Sequence, residues 1–338
     1  MESAGQPSLG IVVGLVVVAL AFDFMNGFHD AANGISTVVS TRVLKPYQAV
    51  VIAALMNFIA VFIFHLSVAA TVGKGIIDTA IVDHHVVLGA LVGAISWNII
   101  TWWYGIPSSS SHALIGGLVG AGVAKAGSWA LIPAGILKTV AFIFISPALG
   151  FVIGSALFLA VSWIFVRATP SRVDRLFRRL QLFSSSLYSL GHGGNDAQKT
   201  IGIIWMLLIA GGYTAPQAAT PLWVVIACYL TIGAGTMFGG WRIVKTMGQR
   251  ITKIRPASGF CAELSGSIAL FLATSLGIPV STTHTIAGSI VGVGATQSVS
   301  AVRWGIAGNI VWAWILTIPC SAFMAGLAWW VARTVLAN

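Results

Sequence analysis

The chain has 338 residues, of which 57% are hydrophobic and only 8% charged. A soluble domain carries about 25% charged residues, so this composition excludes a water-facing globule and implies an integral membrane protein. The net charge of +10 does not indicate a nucleic-acid partner, because much of the Lys and Arg lies in short segments between apolar runs, where it sets topology.

The first apolar run, 9–39, has no Lys or Arg before it. It lacks the basic start of a cleaved signal peptide and is expected as a retained span. Inside it NGFHDAANGI (26–35) puts Asn26, His29, Asp30 and Asn33 among apolar residues, and Asp23 lies seven residues before Asp30. Runs at 47–70 and 86–104 follow, and GIPSSSSH (105–112) opens the run 107–124. The run 131–166 is long enough to bend at Pro147 or to hold two short segments. RATPSRVDRLFRR (167–179), with five Arg and one Asp, is expected to lie in a cytoplasmic linker over 167–182. The run 183–210 carries HGGNDAQKTI (192–201), which contains His192, Asn195, Asp196 and Lys199. After 222–240 comes WRIVKTMGQRITKIR (241–255), with five basic residues and no acid. The run 257–276 holds Glu263, GIPVSTTH (277–284) opens 278–295, and 305–334 closes the series.

Apolar runs near the ~20 residues that cross a bilayer predict an all-α integral membrane protein of about 10–12 transmembrane segments, broken and re-entrant helices included. A β-barrel would instead show alternating segments of about 10 residues. Cys228, Cys261 and Cys320 have no metal-ligand spacing and read as small core residues. Placing both basic segments inside puts thirteen Lys and Arg on the cytoplasmic side, leaves Lys74, Lys125 and Arg333 outside, and keeps Lys138 and Lys199 within spans. Both termini are then expected outside.

GIPSSSSHALIGGLVG (105–120) and GIPVSTTHTIAGSIVG (277–292) match at 8 of 16 positions at an offset of 172. Pro147 and Pro319 share that offset, and the two Asp motifs repeat at 166. The chain therefore reads as two repeats, 1–166 and 183–338, joined by the basic linker. Each has about five crossings, so the second enters the membrane inverted, an architecture of secondary transporters whose substrate binds near the midplane.

A carboxylate in an apolar segment is costly and marks an ion or proton path. Asp30 and Asp196 occupy equivalent places and are flanked by glycines (Gly27, Gly34; Gly191, Gly193, Gly194), which are expected to unwind their helices and free backbone groups. Pro107 and Pro279 suit the first turn of a helix. The hydroxyls of Ser108, Ser109, Ser110, Ser111, Ser281, Thr282 and Thr283 would then gather at two helix N-termini, where free N–H groups and the positive dipole end favour an oxyanion. The alternative for these hydroxyls is capping or helix packing. His112 and His284 follow as anion donors, proton carriers or supports for the serines. Two acids facing a divalent anion require accompanying cations, so symport with sodium, protons or a metal follows. Asp23 and Glu263 are secondary candidates for proton sites.

These residues resemble the inorganic phosphate transporter (PiT) family, bacterial type. The resemblance rests on FDFMNGFHDAANGISTVVSTRVL (22–44), SLGHGGNDAQKTIGI (189–203) and both GIP…H segments. It implies an inverted-repeat symporter in the cell membrane that carries phosphate with sodium or protons, in some members as a neutral metal complex, and that forms a homodimer. No enzymatic role and no resident cofactor are implied. By position, Asp30 and Asp196 would be the essential acids, Asn33 a cation or phosphate ligand, and the Ser/Thr runs phosphate ligands; Asn26 and Asn195 join the same set. The sequence departs from the family in one place. The first half reads HDAAN and the second NDAQK, so Lys199 stands where Asn33 has its counterpart, and its ammonium is expected to oppose or replace a sodium ion. The competing readings are a permease for sulfate or a similar oxyanion, a passive anion channel, and a membrane hydrolase using Ser, His and Asp, although no GxSxG elbow is present.

Overall fold

The computed structural model describes residues 7–215 and 217–336. Among the described residues there are twelve α-helices: α1 Leu9–Ser40, α2 Pro46–Ile59, α3 Ser67–Lys74, α4 His84–Tyr104, α5 Ser110–Ala126, α6 Pro133–Ile164, α7 Pro170–Ala210, α8 Leu222–Phe238, α9 Trp241–Lys245, α10 Pro256–Ser275, α11 Thr282–Gln297 and α12 Trp304–Leu336. Helix is what an apolar chain must adopt in lipid, because only there are backbone groups satisfied within the segment.

Five helices (α1, α4, α6, α10 and α12) are long and apolar enough to cross a membrane. The count rises to seven if α2 with α3, bent by 84°, and α8 with the Trp241–Arg250 segment, bent by 62°, each make one span. The ten expected runs each correspond to one helix or one bent pair. The remaining three are α5 and α11, of 17 and 16 residues, and α7, whose apolar stretch is interrupted by charge and begins with the arginine-rich segment.

The 131–166 run is a single 32-residue helix with Pro147 inside it, which excludes the alternative of two short segments. One expectation on continuity needs correction. The basic stretch expected as a linker is helical from Pro170, forming the first turns of the 41-residue α7. Proline at the first helical position starts that helix without losing a donor.

α1 and α7 cross antiparallel through the centre. Asp23 accepts a hydrogen bond from Thr200 at 2.8 Å at one end, and Thr41 donates to Gln181 at 2.8 Å at the other. Around them the last helix of each half packs on the other half: α6 lies against α10 and α11, and α12 lies against α4 and α5. Small residues let these backbones meet. A Cβ on Gly120 of α5 would sit 2.0 Å from the Ala322 carbonyl oxygen of α12, and one on Gly288 of α11 would sit 2.1 Å from the Pro147 carbonyl oxygen of α6. Gly120→Ala is therefore expected to force the two helices apart and cost about 1–3 kcal/mol, measured as a lower midpoint of thermal unfolding in detergent. An unchanged midpoint would show that this contact is not close-packed.

Candidate functional site

The two Asp motifs lie within uninterrupted helices. α1 runs through Asp30 and α7 through Asp196, so the expected unwinding does not occur. The glycines there serve close approach instead. A Cβ on Gly27 would come 2.2 Å from the Ile232 carbonyl oxygen, and one on Gly193 would come 2.5 Å from that of Asn57.

Pro107 and Pro279 also sit differently from expectation. The helices begin at Ser110 and Thr282, and each proline lies three residues earlier in the connecting loop. Each loop opens on a left-handed glycine, Gly105 (φ 66°) and Gly277 (φ 65°), a conformation that glycine adopts without steric cost. Ser109 and Ser281 are helix caps, accepting from the backbone N–H of His112 at 3.2 Å and of His284 at 3.1 Å.

The two loops and the two central helices converge on one polar centre. Lys199 donates to Asp196 Oδ1 at 2.5 Å, to the Val280 carbonyl at 2.8 Å and to the Ser111 hydroxyl. One ammonium thus bridges both GIP motifs. Across from it, Asn33 Nδ2 donates to Thr283 Oγ1 at 2.9 Å and Thr282 Oγ1 at 3.2 Å. Thr282 in turn donates to Asp196 Oδ2 at 3.2 Å, and Thr283 to Asp30 Oδ1 at 3.4 Å. His29 Nδ1 donates to Asp30 Oδ1 at 2.7 Å, and its Nε2 lies 3.1 Å from Thr101 Oγ1. Ser108 donates to the same Thr101 at 2.8 Å. All these residues are buried.

Several buried polar atoms here find no partner among the described residues: Asn26 Oδ1, Asn33 Oδ1, Asn195 Oδ1 and Ser110 Oγ. Buried polar groups are normally satisfied, and unpaired ones are expensive, so a cluster of them marks a place built to receive something polar. One ligand atom from each of Asp30, His192 and Asp196 lies within 4.8 Å of the others. His192 Nδ1 donates to Asn57 Oδ1 at 3.1 Å, and Asn57 is itself oriented by donating to Thr236 at 2.8 Å. Its Nε2 lies 3.3 Å from Asp196 Oδ2, so the ring is held between Asn57 and the acid.

Other named residues stand apart. Asn195 Nδ2 holds the second loop by donating to Thr274 at 2.9 Å and the Ile278 carbonyl at 3.2 Å. Asp23 is paired with Thr200, and its second oxygen has no partner among the described residues. Glu263 lies at the far end of α1 from Asp23. It accepts from the hydroxyls of Thr37 and Ser184, and from Gln181 Nε2 at 3.1 Å. His112 and His284 meet each other at 4.7 Å between ring centroids, and His284 stacks on Trp314 at 3.9 Å. Their rings make no hydrogen bond to the acids or the hydroxyls among the described residues.

Sequence reasoning left out Thr101, Asn57 and Tyr188 as site residues. Tyr188 donates to the Thr282 carbonyl at 2.7 Å and so fixes the start of α11. None of the three belongs to a repeated motif, and only a buried hydroxyl or amide near an apolar run would have pointed to them. His192 was visible as a neighbour of Asp196, but not as a prospective ligand.

The sequence model of the phosphate transporter family matches residues 26–172 and again 166–325. A probable low-affinity inorganic phosphate transporter of Rhizobium meliloti is 61% identical over 96% of this chain and 97% of its own length. A protein of the same description from Bacillus subtilis is 45% identical over 95% of this chain and 97% of its own. A solved structure of a sodium-dependent phosphate transporter superposes with a TM-score of 0.88 at 24% identity, covering 97% of this chain and all of that one. That likeness is one of fold.

Proposed function

We propose that this chain, which belongs to the phosphate transporter family, carries inorganic phosphate across the cell membrane together with a coupled cation. It is a transporter and not an enzyme. The observation that carries the coupling is the environment of Lys199. A carboxylate, a hydroxyl and a backbone carbonyl surround its ammonium, which are oxygen ligands of the kind a hard cation takes. At an offset of 166 in the helix and 172 in the loop, the symmetry-related counterparts are Asn33 for Lys199, Asp30 for Asp196, Thr283 for Ser111 and Ser108 for Val280. There the amide oxygen of Asn33 has no partner among the described residues, and Asn33 supplies no ammonium. Lys199 thus acts as a permanent cation on one side of the centre, and one mobile cation, a proton or sodium, enters on the other.

With that cation present, phosphate is received by the starts of α5 and α11, where Ser110, Ser111, Thr282 and Thr283 combine with the positive helix ends. Phosphate donates hydrogen bonds as well as accepting them, so Asp30 and Asp196 favour it over sulfate, which has no proton to offer. The two homologous halves, opposite in the membrane, would expose this centre to each side in turn. A second reading, in which phosphate enters as a neutral metal complex, draws support from the Asp30, His192 and Asp196 grouping.

The test is uptake of labelled phosphate into proteoliposomes with proton and sodium gradients imposed separately, each with and without a divalent cation. Accumulation driven by one gradient is expected, with excess sulfate competing weakly. Failure to accumulate phosphate under every condition, or equal competition by sulfate, would overturn the reading. Uptake that requires the divalent ion would select the metal-complex form.

A further inference from the structure

Each broken span fastens the loop that leads into the other half's polar helix. Thr71 of α3 donates to the Gly277 carbonyl at 2.7 Å, and Thr246, in the π-helical turn Thr246–Arg250 that follows α9, donates to the Gly105 carbonyl at 2.9 Å. The acceptors are the two left-handed glycines that open the GIP loops. The surroundings repeat as well. Gly277 lies against Ser67 and Gly105 against Arg242, with would-be Cβ contacts of 3.2 and 3.3 Å. Both threonines also reach the carbonyl four residues earlier at 3.3 Å.

The two fastenings lie on opposite sides of the polar centre. α3 meets α7 where Gly73 faces the Gly202 carbonyl, six residues beyond Asp196. The π-helical turn meets α1 where Gly248 faces the Ser36 carbonyl, six residues beyond Asp30. Because α1 and α7 are antiparallel, "beyond" points in opposite directions. Insertions of π-helix are frequent at functional positions, and here one sits within the basic segment 241–255.

We propose that these bonds are the two gates of the transport path, Thr246 with Gly105 on the basic side and Thr71 with Gly277 on the other. Releasing one loop opens the centre to one side while the other loop stays fastened. On the basic side Arg242 Nη1 adds a bond of 2.5 Å to the Trp103 carbonyl and lies over the rings of Trp102 and Trp103. The proposal rests on the phosphate-transport reading only for the identity of what passes.

Hydrogen–deuterium exchange of the protein in nanodiscs tests this without any substrate. Valine keeps the shape of threonine and removes the hydroxyl. A lost hydrogen bond of ordinary strength is expected to speed exchange about fivefold. Thr71→Val should do so over 277–282 and leave 105–110 unchanged. Thr246→Val should do the converse. Thr71→Ser and Thr246→Ser should both keep wild-type protection. Valine variants that change neither loop, or that open both loops together, would overturn the proposal. If the wild type instead takes up no phosphate in proteoliposomes, the functional reading fails while the exchange result still decides the gates.

Discussion

Asp30→Asn is expected to reduce phosphate uptake by roughly 100-fold or more while the protein stays folded. Hydrogen bonds to charged groups contribute about 1.5–3 kcal/mol each, and about 1.4 kcal/mol is tenfold in affinity. Asp30 stands to lose both its attraction for the coupled cation and the charge in its bonds with His29 and Thr283. Asparagine is isosteric and still accepts from both neighbours, so size-exclusion and thermal unfolding should resemble the wild type. Asp196→Asn is expected to abolish uptake as well, but with a visible loss of stability. It leaves the buried ammonium of Lys199, which now meets only neutral acceptors in the amide oxygen, Ser111 and the Val280 carbonyl, without the carboxylate charge beside it. Full transport in either variant would contradict the assignment of the centre.

The second large effect is expected at Lys199. Removing one partner of a buried ion pair costs about 3–5 kcal/mol, because the other charge is left uncompensated. Lys199→Met should therefore unfold at markedly lower temperature in any salt. Lys199→Asn recreates the side chain that the first half carries at Asn33, and Asp196 with Ser111 and the Val280 carbonyl then forms an oxygen site without a resident cation. Sodium should fill it and restore stability with the logarithm of its concentration above Kd, following the linkage between binding and folding. Phosphate uptake by Lys199→Asn should become sodium-stimulated beyond the wild type. If its unfolding temperature ignores sodium and the cation dependence of uptake is unchanged, Lys199 is not a substitute cation.

Much of this centre is legible in the sequence, because polar residues in an apolar chain stand out and a repeated motif is hard to explain by packing alone. Asp30, Asp196, Lys199, Asn33, Thr282 and Thr283 were all singled out on that ground, and they meet. What could not be read depends on atoms of other segments. A glycine beside a buried acid signals unwinding or close approach equally well, and only the carbonyl of Ile232 against Gly27 decides. The arginine-rich stretch after residue 166 looks like a loop by charge, yet Pro170 starts a helix that runs without a break into the Asp196 motif. Ser109 and Ser281 are caps rather than free hydroxyls, a distinction set by where the helix starts. Thr71 and Thr246 were invisible because each is a lone threonine outside every motif, and they are related by an offset of 175 rather than 166 or 172. Asp23 and Glu263 lack counterparts in the other half, and along α1 they fall on either side of Asp30, Asp23 seven residues before it and Glu263 through Thr37 seven residues after.

The exchange of α6 and α12 between halves has a consequence for biosynthesis. α4 and α5 emerge early, but the surface against which Gly89, Gly93, Gly116 and Gly120 close belongs to α12, which is made only after α6 to α11. The first half must therefore wait in the bilayer with its small-residue face uncovered by α12. Synthesis of α12, rather than of the first half alone, is the event that closes this face. A nascent chain arrested before Trp304 should accordingly remain open to the membrane's quality-control proteases.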